Sequence, residues 1–278
     1  MRRPELPVLK ESEPWRLPAE GLALLDEIAG RIQAEDRQVD DWFKRYSQQH
    51  RQRLATDLEI VSRHVEHNAR ILEYGAIPLL LTAALAALDY RIKAIDIKPE
   101  RFASAIANLG LDVVGCDVET EPVPVADGEF DAVLFNELFE HLRINPLFTM
   151  SEVVRVLKPG GVLLLSTPNL RSFRGLRNLV MRNQGHAVSA GVYEQYEKLD
   201  TIGHMGHVRE YTTREVADFL TRLGLRTDKI IYRGGHGKGF TGIAERLAPS
   251  MRPFFTLVAT KVPLQDFASP PTVRTDRS

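Results

Sequence analysis

Two stretches decide how this chain folds: Phe130–Leu142, FDAVLFNELFEHL, and Glu152–Asn169, EVVRVLKPGGVLLLSTPN. Phe130–Phe135 is a short apolar run broken by a single acid, which reads as a strand buried on both faces. It stops at Asn136, and polar Glu137, Glu140 and His141 follow. Asn145–Leu157 has helical spacing and is stopped by Lys158, Pro159, Gly160 and Gly161. Val162–Ser166 is again a β-rich run. Strand, helix, glycine turn and strand in succession point to parallel strands joined by a covering helix.

The same rhythm extends to both sides. Upstream, Arg70–Tyr74 (RILEY), Arg91–Asp96 (RIKAID) and Leu111–Cys116 (LDVVGC) read as strands. Between them, Pro78–Leu88 and Pro99–Leu109 read as helices with proline tolerated in the first turn. Downstream, Thr212–Leu223 is a helix with Thr212 or Thr213 as N-cap and Gly224 just past its end. Arg226–Arg233 and Phe254–Lys261 are two final strands. The expected class is α/β, a mostly parallel sheet with helices on both faces. Residues 1–67 form an N-terminal arm and helices, with Leu22, Leu25, Ile28 and Ile32 at helical spacing. Residues 68–262 form the core, and 168–210 interrupt it as a partly helical lid over the sheet's mouth. Residues 263–278 read as a disordered tail.

Composition narrows the function. The 278 residues suffice for a sizeable core, and the formal net charge of -1 offers no field for capturing nucleic acid or an anionic membrane. Cys116 is the sole cysteine, so neither an intrachain disulfide nor a thiolate metal cluster can form. The start of the chain lacks the apolar segment of a secretory signal, and the longest apolar run, Ala76–Leu88, is too short to span a bilayer. The expectation is a cytoplasmic protein without stable membrane insertion or nucleic-acid partner, one that allows a homodimer.

In open parallel sheets, ligands bind beyond the carboxyl ends of the strands. Gly75 follows the first strand, where a residue without Cβ permits a tight turn and close ligand approach. Asp96 ends the second strand, 21 residues beyond Gly75. That spacing suits an acid that reaches a ribose diol, and it equally suits a helix N-cap. Asp117 ends the third strand, where it is either a turn residue or an acceptor for an adenine amino group; Val118 offers the same contact through its backbone. Asn136 ends the fourth.

With these residues in place, FDAVLFNELFEHL, EVVRVLKPGGVLLLSTPN and GHVREYTTREVADFLTRLGL (Gly206–Leu225) resemble motifs of class I S-adenosylmethionine-dependent methyltransferases. The resemblance spans about residues 40 to 261. It implies a Rossmann-like sheet of seven strands, the last antiparallel and inserted between the fifth and sixth. It implies S-adenosylmethionine as cofactor and S-adenosylhomocysteine as product. Glu73, Gly75, Ala76, Asp96, Ile97, Asp117, Val118 and Asn136 would then line the cofactor. The acceptor would be a hydroxyl or amine of a small-molecule, saccharide or lipid-linked substrate. The chain departs from the family's acidic-x-Gly-x-Gly-x-Gly turn, because Ile77 and Leu79 replace the second and third glycines. Side chains there would crowd a cofactor carboxylate unless the loop takes another path.

The acceptor side has several candidates. His141 is either a general base or a packed structural residue. Tyr46 and His50 share a helix face with Arg53, which makes them either lid residues or an ordinary surface face. His207, Arg209 and Tyr211 are candidates for the substrate pocket. His204 and His207 have ligand spacing but no evident third partner, so no metal is expected. Arg171, Arg174, Arg177 and Arg182 form either a solvated face or an anion-capturing patch. A silent binding protein on the same fold, or a nicotinamide-dependent oxidoreductase, are the competing readings.

Overall fold

The computed structural model describes residues 19–262, apart from 190, 202–205 and 236–239. His204, most of the expected arm, the expected tail and most of the loop after Arg233 therefore lie outside the described residues.

Seven strands form one sheet. They are β1 (Arg70–Tyr74), β2 (Arg91–Asp96), β3 (Asp112–Gly115), β4 (Phe130–Asn136), β5 (Leu157–Pro168), β6 (Leu225–Arg233) and β7 (Phe254–Lys261). Their order is β3-β2-β1-β4-β5-β7-β6. β1 to β5 pair in parallel, while β7 runs antiparallel to both β5 and β6. The expected seven-stranded sheet with an inserted antiparallel strand is the one observed. The order reverses between β1 and β4, so the switch point lies between the ends of those two strands.

Helices cover both faces. α1 (Ala19–Ala29), α2 (Arg37–His64), α3 (Leu80–Ala87) and α4 (Ala103–Leu109) lie in the first half. α5 (Pro146–Val156), α6 (Phe173–Arg182), α7 (Val192–Thr201), α8 (Thr213–Arg222) and α9 (Phe240–Leu247) follow. Two apolar cores result. One joins Leu25, Ile28, Phe43 and Leu58 of the N-terminal helices to Ile71, Ala94, Ala132 and Leu164 of the sheet. The N-terminal helices thus share their core with the sheet. The second packs Met150, Val153, Val216 and Leu220 against Leu72, Val133, Leu163 and Leu257 on the other face.

Local chemistry sets the helix ends. The Asp36 carboxylate accepts the Gln38 and Val39 amides at 2.8 and 3.1 Å and starts α2. Asn145 caps α5 in the same way. Thr212 and Glu215 form a reciprocal capping box on α8. Two expected helix starts shift. Pro99 opens a 3₁₀ turn, Pro99–Phe102, before α4, and α3 begins at Leu80, not at Pro78.

The β4–α5–β5 unit closes through Lys158-Pro159-Gly160-Gly161, which belongs to the start of β5. A Cβ on Gly161 would stand 2.9 Å from the Lys158 carbonyl oxygen and 3.1 Å from that of Asp131. These are backbone atoms and cannot rotate away. Gly161→Ala is therefore expected to cost about 2 kcal/mol, in the range of overpacking penalties, measured by urea unfolding. A loss below the error of the method would contradict this account of the turn.

Candidate active site

The carboxyl ends of β1, β2 and β4 build the cleft. After β1 the chain turns at Gly75, with φ of +72°, and the Gly75 and Ala76 amides both donate to the Ile95 carbonyl on β2. A Cβ on Gly75 would meet the Leu138 side chain at 3.4 Å. Asp96 then fixes the rest of the turn. Its Oδ2 accepts the Ile77 amide at 3.0 Å and its Oδ1 accepts the Lys98 amide at 3.1 Å. Burial pushes the Asp96 carboxyl up, and these amides work against that.

The residues that replace the two missing glycines pack toward the core. Leu79 is fully buried in the α1–α2–sheet core, and Ile77 packs against the same core. Leu79 keeps the left-handed conformation, φ +71°, that a glycine would adopt freely. Such a conformation costs a bulky residue about 1–2 kcal/mol, and core burial of its side chain offsets the cost. The helix after the turn begins at Leu80, past Pro78. Residues fitting a nucleoside-bearing ligand remain at the strand ends: Asp96, half-exposed Ile97 beside it, and Asn136 at the end of β4.

Glu73 is not on the cleft's surface. It is buried and accepts the Thr82 hydroxyl at 2.6 Å. Burial pushes its carboxyl up to about 8, so it is largely neutral near pH 7. Asp117 is half-buried and its Oδ1 accepts the Glu119 amide at 3.1 Å, which is the turn role. The neighbouring Val118 carbonyl accepts the Thr149 hydroxyl.

From the other side, α2 brings Tyr46, His50 and Arg53 to the end of β4. Tyr46 and His50 rings meet at a tilt of 46° with centroids 4.3 Å apart, the Arg53 guanidinium donates to the Tyr46 hydroxyl, and Arg53 lies 3.6 Å from Glu137. Burial, with help from Arg53, holds the His50 imidazolium down at about 4, so His50 is neutral near pH 7. Glu137 sits at φ +51° and accepts the Ser166 hydroxyl at 2.9 Å. Arg233, at the end of β6, bonds both Asp57 of α2 at 2.6 Å and Glu137 at 2.9 Å. Asp57, Glu137 and Arg233 were not among the residues expected from sequence. Two acids at buried positions, Asp57 and Glu137, face a cation 176 and 96 residues away, and only the fold brings them together.

A third group lies beyond Asn136. The turn Phe139–His141 buries Glu140, whose Oε2 accepts the Thr167 hydroxyl at 2.9 Å. The His141 and His207 rings meet edge to face, 5.0 Å between centroids, and each Nε2 stands 4.0 Å from Glu140 Oε1. His207 Nδ1 pairs with Glu210 at 3.2 Å. Burial alone would raise the Glu210 carboxyl, but His207 and the Ala187 and Ser189 amides hold it down at about 2. His141 and His207 therefore converge, one from the β4 turn and one from the inserted segment. Arg209 and Tyr211 do not join them. Arg209 is exposed, bonds Glu215 at 2.6 Å and lies over the Tyr211 ring, which packs on Phe139. Together with Pro146 and Phe219 they line a separate shallow groove.

Comparison with known proteins agrees with the fold. Residues 72–165 match the family model described as "Methyltransferase domain". A possible histamine N-methyltransferase from Thermotoga maritima superposes with a TM-score of 0.53 at 19% identity, over 80% of this chain and 95% of that one. A 1,6-didemethyltoxoflavin-N1-methyltransferase from Burkholderia thailandensis, solved with S-adenosylhomocysteine, gives 0.53 at 17% identity over 91% and 93%. The ubiquinone biosynthesis O-methyltransferase of Xanthomonas campestris pv. campestris is 35% identical over 115 residues, 40% of this chain and 47% of that protein. The match thus spans about half the length of that relative. Residues 72–165 thus match a methyltransferase domain, and the chain has the fold of solved S-adenosylmethionine-dependent methyltransferases.

Two predictions follow from the charges. Glu73 has a raised pKa in the folded state, so its contribution to stability is full below the ordinary glutamate value near 4.5 and is lost as pH rises through about 8. Glu73→Gln removes that dependence. The stability of the variant minus that of the native chain should rise between pH 5 and 8 and level off above, by thermal unfolding; a flat difference would show Glu73 ionised inside. Arg233→Met strands buried acids and should cost about 3–5 kcal/mol in denaturant unfolding; a loss under about 1 kcal/mol would mean the cluster adds little.

Proposed function

We propose that this protein transfers a methyl group from S-adenosylmethionine to a hydroxyl or amine of a small-molecule, saccharide or lipid-linked acceptor. One observation carries the reading: in the turn after β1, without its second and third glycines, Asp96 holds the Ile77 amide and Leu79 packs into the core. When bound, S-adenosylmethionine supplies an electrophilic methyl on a sulfonium, and the protein must chiefly align donor and acceptor away from water.

The chain's residues suit those tasks. Asp96 presents its carboxylate beside the turn to hold ribose hydroxyls, and Ile97 offers an exposed apolar face for the adenine. Ala76 and the Gly75 turn line the approach to the amino-acid end, and Asn136 lies at the switch point near the transferring methyl. Asp117 and Val118 flank the adenine edge. Tyr46 and His50 close the cleft from α2. His50 is neutral near pH 7, so it accepts a proton without first losing one, as a general base for a hydroxyl requires. His141 and His207 lie on the acceptor side; Arg209 and Tyr211 line a separate groove. The O-methyltransferase name of the relatives supports a hydroxyl acceptor.

The competing readings find less support. A silent binding protein would have Ile77 and Leu79 filling the cleft, and Leu79 is buried in the core instead. A nicotinamide-dependent oxidoreductase is disfavoured by the antiparallel β7 between β5 and β6.

The test is calorimetry with S-adenosylmethionine and S-adenosylhomocysteine. The native chain should bind both. Asp96→Ala removes the ribose acceptor and the anchor of the Ile77 amide, and should weaken both at least tenfold. Absence of binding to the native chain would sink the methyltransferase reading, and an unchanged affinity in the variant would remove Asp96 from the site.

A further inference from the structure

We infer that Glu140, His141 and His207 form a binding site for a first-row divalent metal ion at the acceptor side of the cleft. This revises the expectation of no metal, which rested on His204 and His207 lacking a third ligand. The partners of His207 come from elsewhere in the chain: it meets Glu140 and His141, more than sixty residues earlier.

The hydrogen bonds set which nitrogen faces inward. His141 Nδ1 stands 3.2 Å from the Gly206 carbonyl oxygen. A carbonyl only accepts, so His141 Nδ1 carries the proton. His207 Nδ1 stands 3.2 Å from Glu210 Oε1, an oxygen that also accepts the Ser189 amide at 3.0 Å. The same logic puts the proton on His207 Nδ1. Both Nε2 atoms are then lone-pair donors to whatever lies between them. What they face is Glu140 Oε1, 4.0 Å from each. That oxygen is buried and has no hydrogen-bond partner, on a side chain 1% exposed.

Three electron-rich atoms thus converge on one spot, with Glu140 buried and both histidines partly exposed, all within 4.8 Å of one another. A proton does not bridge such gaps, because a contact of 4.0 Å is no hydrogen bond. A divalent ion does: bonded at about 2.0–2.2 Å to nitrogen and carboxylate oxygen, it sits among these atoms after small ring rotations. Two imidazoles and one carboxylate suit zinc, manganese, cobalt or ferrous iron more than magnesium or calcium, which favour all-oxygen sets. The outer contacts have the form expected of a metal site, with each Nδ1–H held by an oxygen that orients the ring. Three protein ligands leave positions open for an acceptor oxygen.

The ion's location stands on this geometry alone; its role rests on the methyltransferase reading. An acceptor hydroxyl bound to the ion loses its proton to solvent more readily. Its oxygen then forms the new bond to the methyl carbon while the carbon–sulfur bond breaks and leaves its electron pair on sulfur. The ion would also join the β4 turn to the inserted segment, so loading it should stabilise that contact.

The experiment strips the protein with a chelator and titrates Co²⁺ and Zn²⁺ by calorimetry, with the visible Co²⁺ spectrum and Tm followed in parallel. One ion per chain is expected, with a rise in Tm and Co²⁺ bands of a nitrogen- and oxygen-ligated site. His207→Ala and His141→Ala should each lower affinity at least tenfold while S-adenosylhomocysteine binding stays within about twofold. Glu210→Gln, which leaves all three ligands, should lower it about tenfold or more. No ion in the native chain, or equal affinity in the histidine variants, would overturn the site. Ion binding without S-adenosylhomocysteine binding would uphold the site and overturn only its role in methyl transfer.

Discussion

The hydrogen bond from the Ile77 amide to Asp96 holds the cleft together. A glycine-rich turn can approach a ligand because it has no side chains to place. This chain has to place two. By anchoring Ile77 through its backbone, Asp96 leaves both apolar side chains to the core behind the turn, where Leu79 is fully buried. The strained φ of Leu79 is tolerated because the surrounding packing determines it. Ala76 is buried in the same core, which leaves Gly75 and Ile77 as the partly exposed residues of the turn.

The cleft is closed by charge as well as by packing. Arg233 joins α2 to the ends of β4 and β6 through Asp57 and Glu137, and Arg53 adds a second cation beside Glu137. Removing two such charges from water is costly, and only full pairing recovers the cost. The benefit is positional: α2, which carries Tyr46 and His50, is held against the strand ends. Further along, Glu140 links the β4 turn to the inserted segment through the Val208 and Arg209 amides, which donate to its carbonyl oxygen. The Arg233 cluster and the two histidines thereby meet at one edge, the end of β4.

Much of the fold was legible because it rests on local periodicity. β1, β2 and β7 span the residues that alternation and β-rich composition predict, and α8 starts at the capping threonine. Gly75, Asp96 and Asn136 fall at strand ends because strand ends are readable. What escaped is non-local. α9 follows a glycine-rich stretch of sequence and was not anticipated. The Asp57–Arg233 pair spans 176 residues, and nothing in either neighbourhood marks it beyond a charge at a core-facing position. Glu140 looked like one more polar residue after β4; its burial and its two histidine neighbours depend on where the insertion lands. Arg209 and Tyr211 resembled His207 by proximity in sequence, yet they face a different groove.

The central claim is that a turn with Ile77 and Leu79 in place of glycines still receives the cofactor. A crystal structure with S-adenosylhomocysteine tests it most directly. The account predicts density above Gly75, ribose hydroxyls on the Asp96 carboxylate, and Leu79 still in the core. Ligand density elsewhere, or a loop that must flip Leu79 out of the core to admit it, would contradict the account.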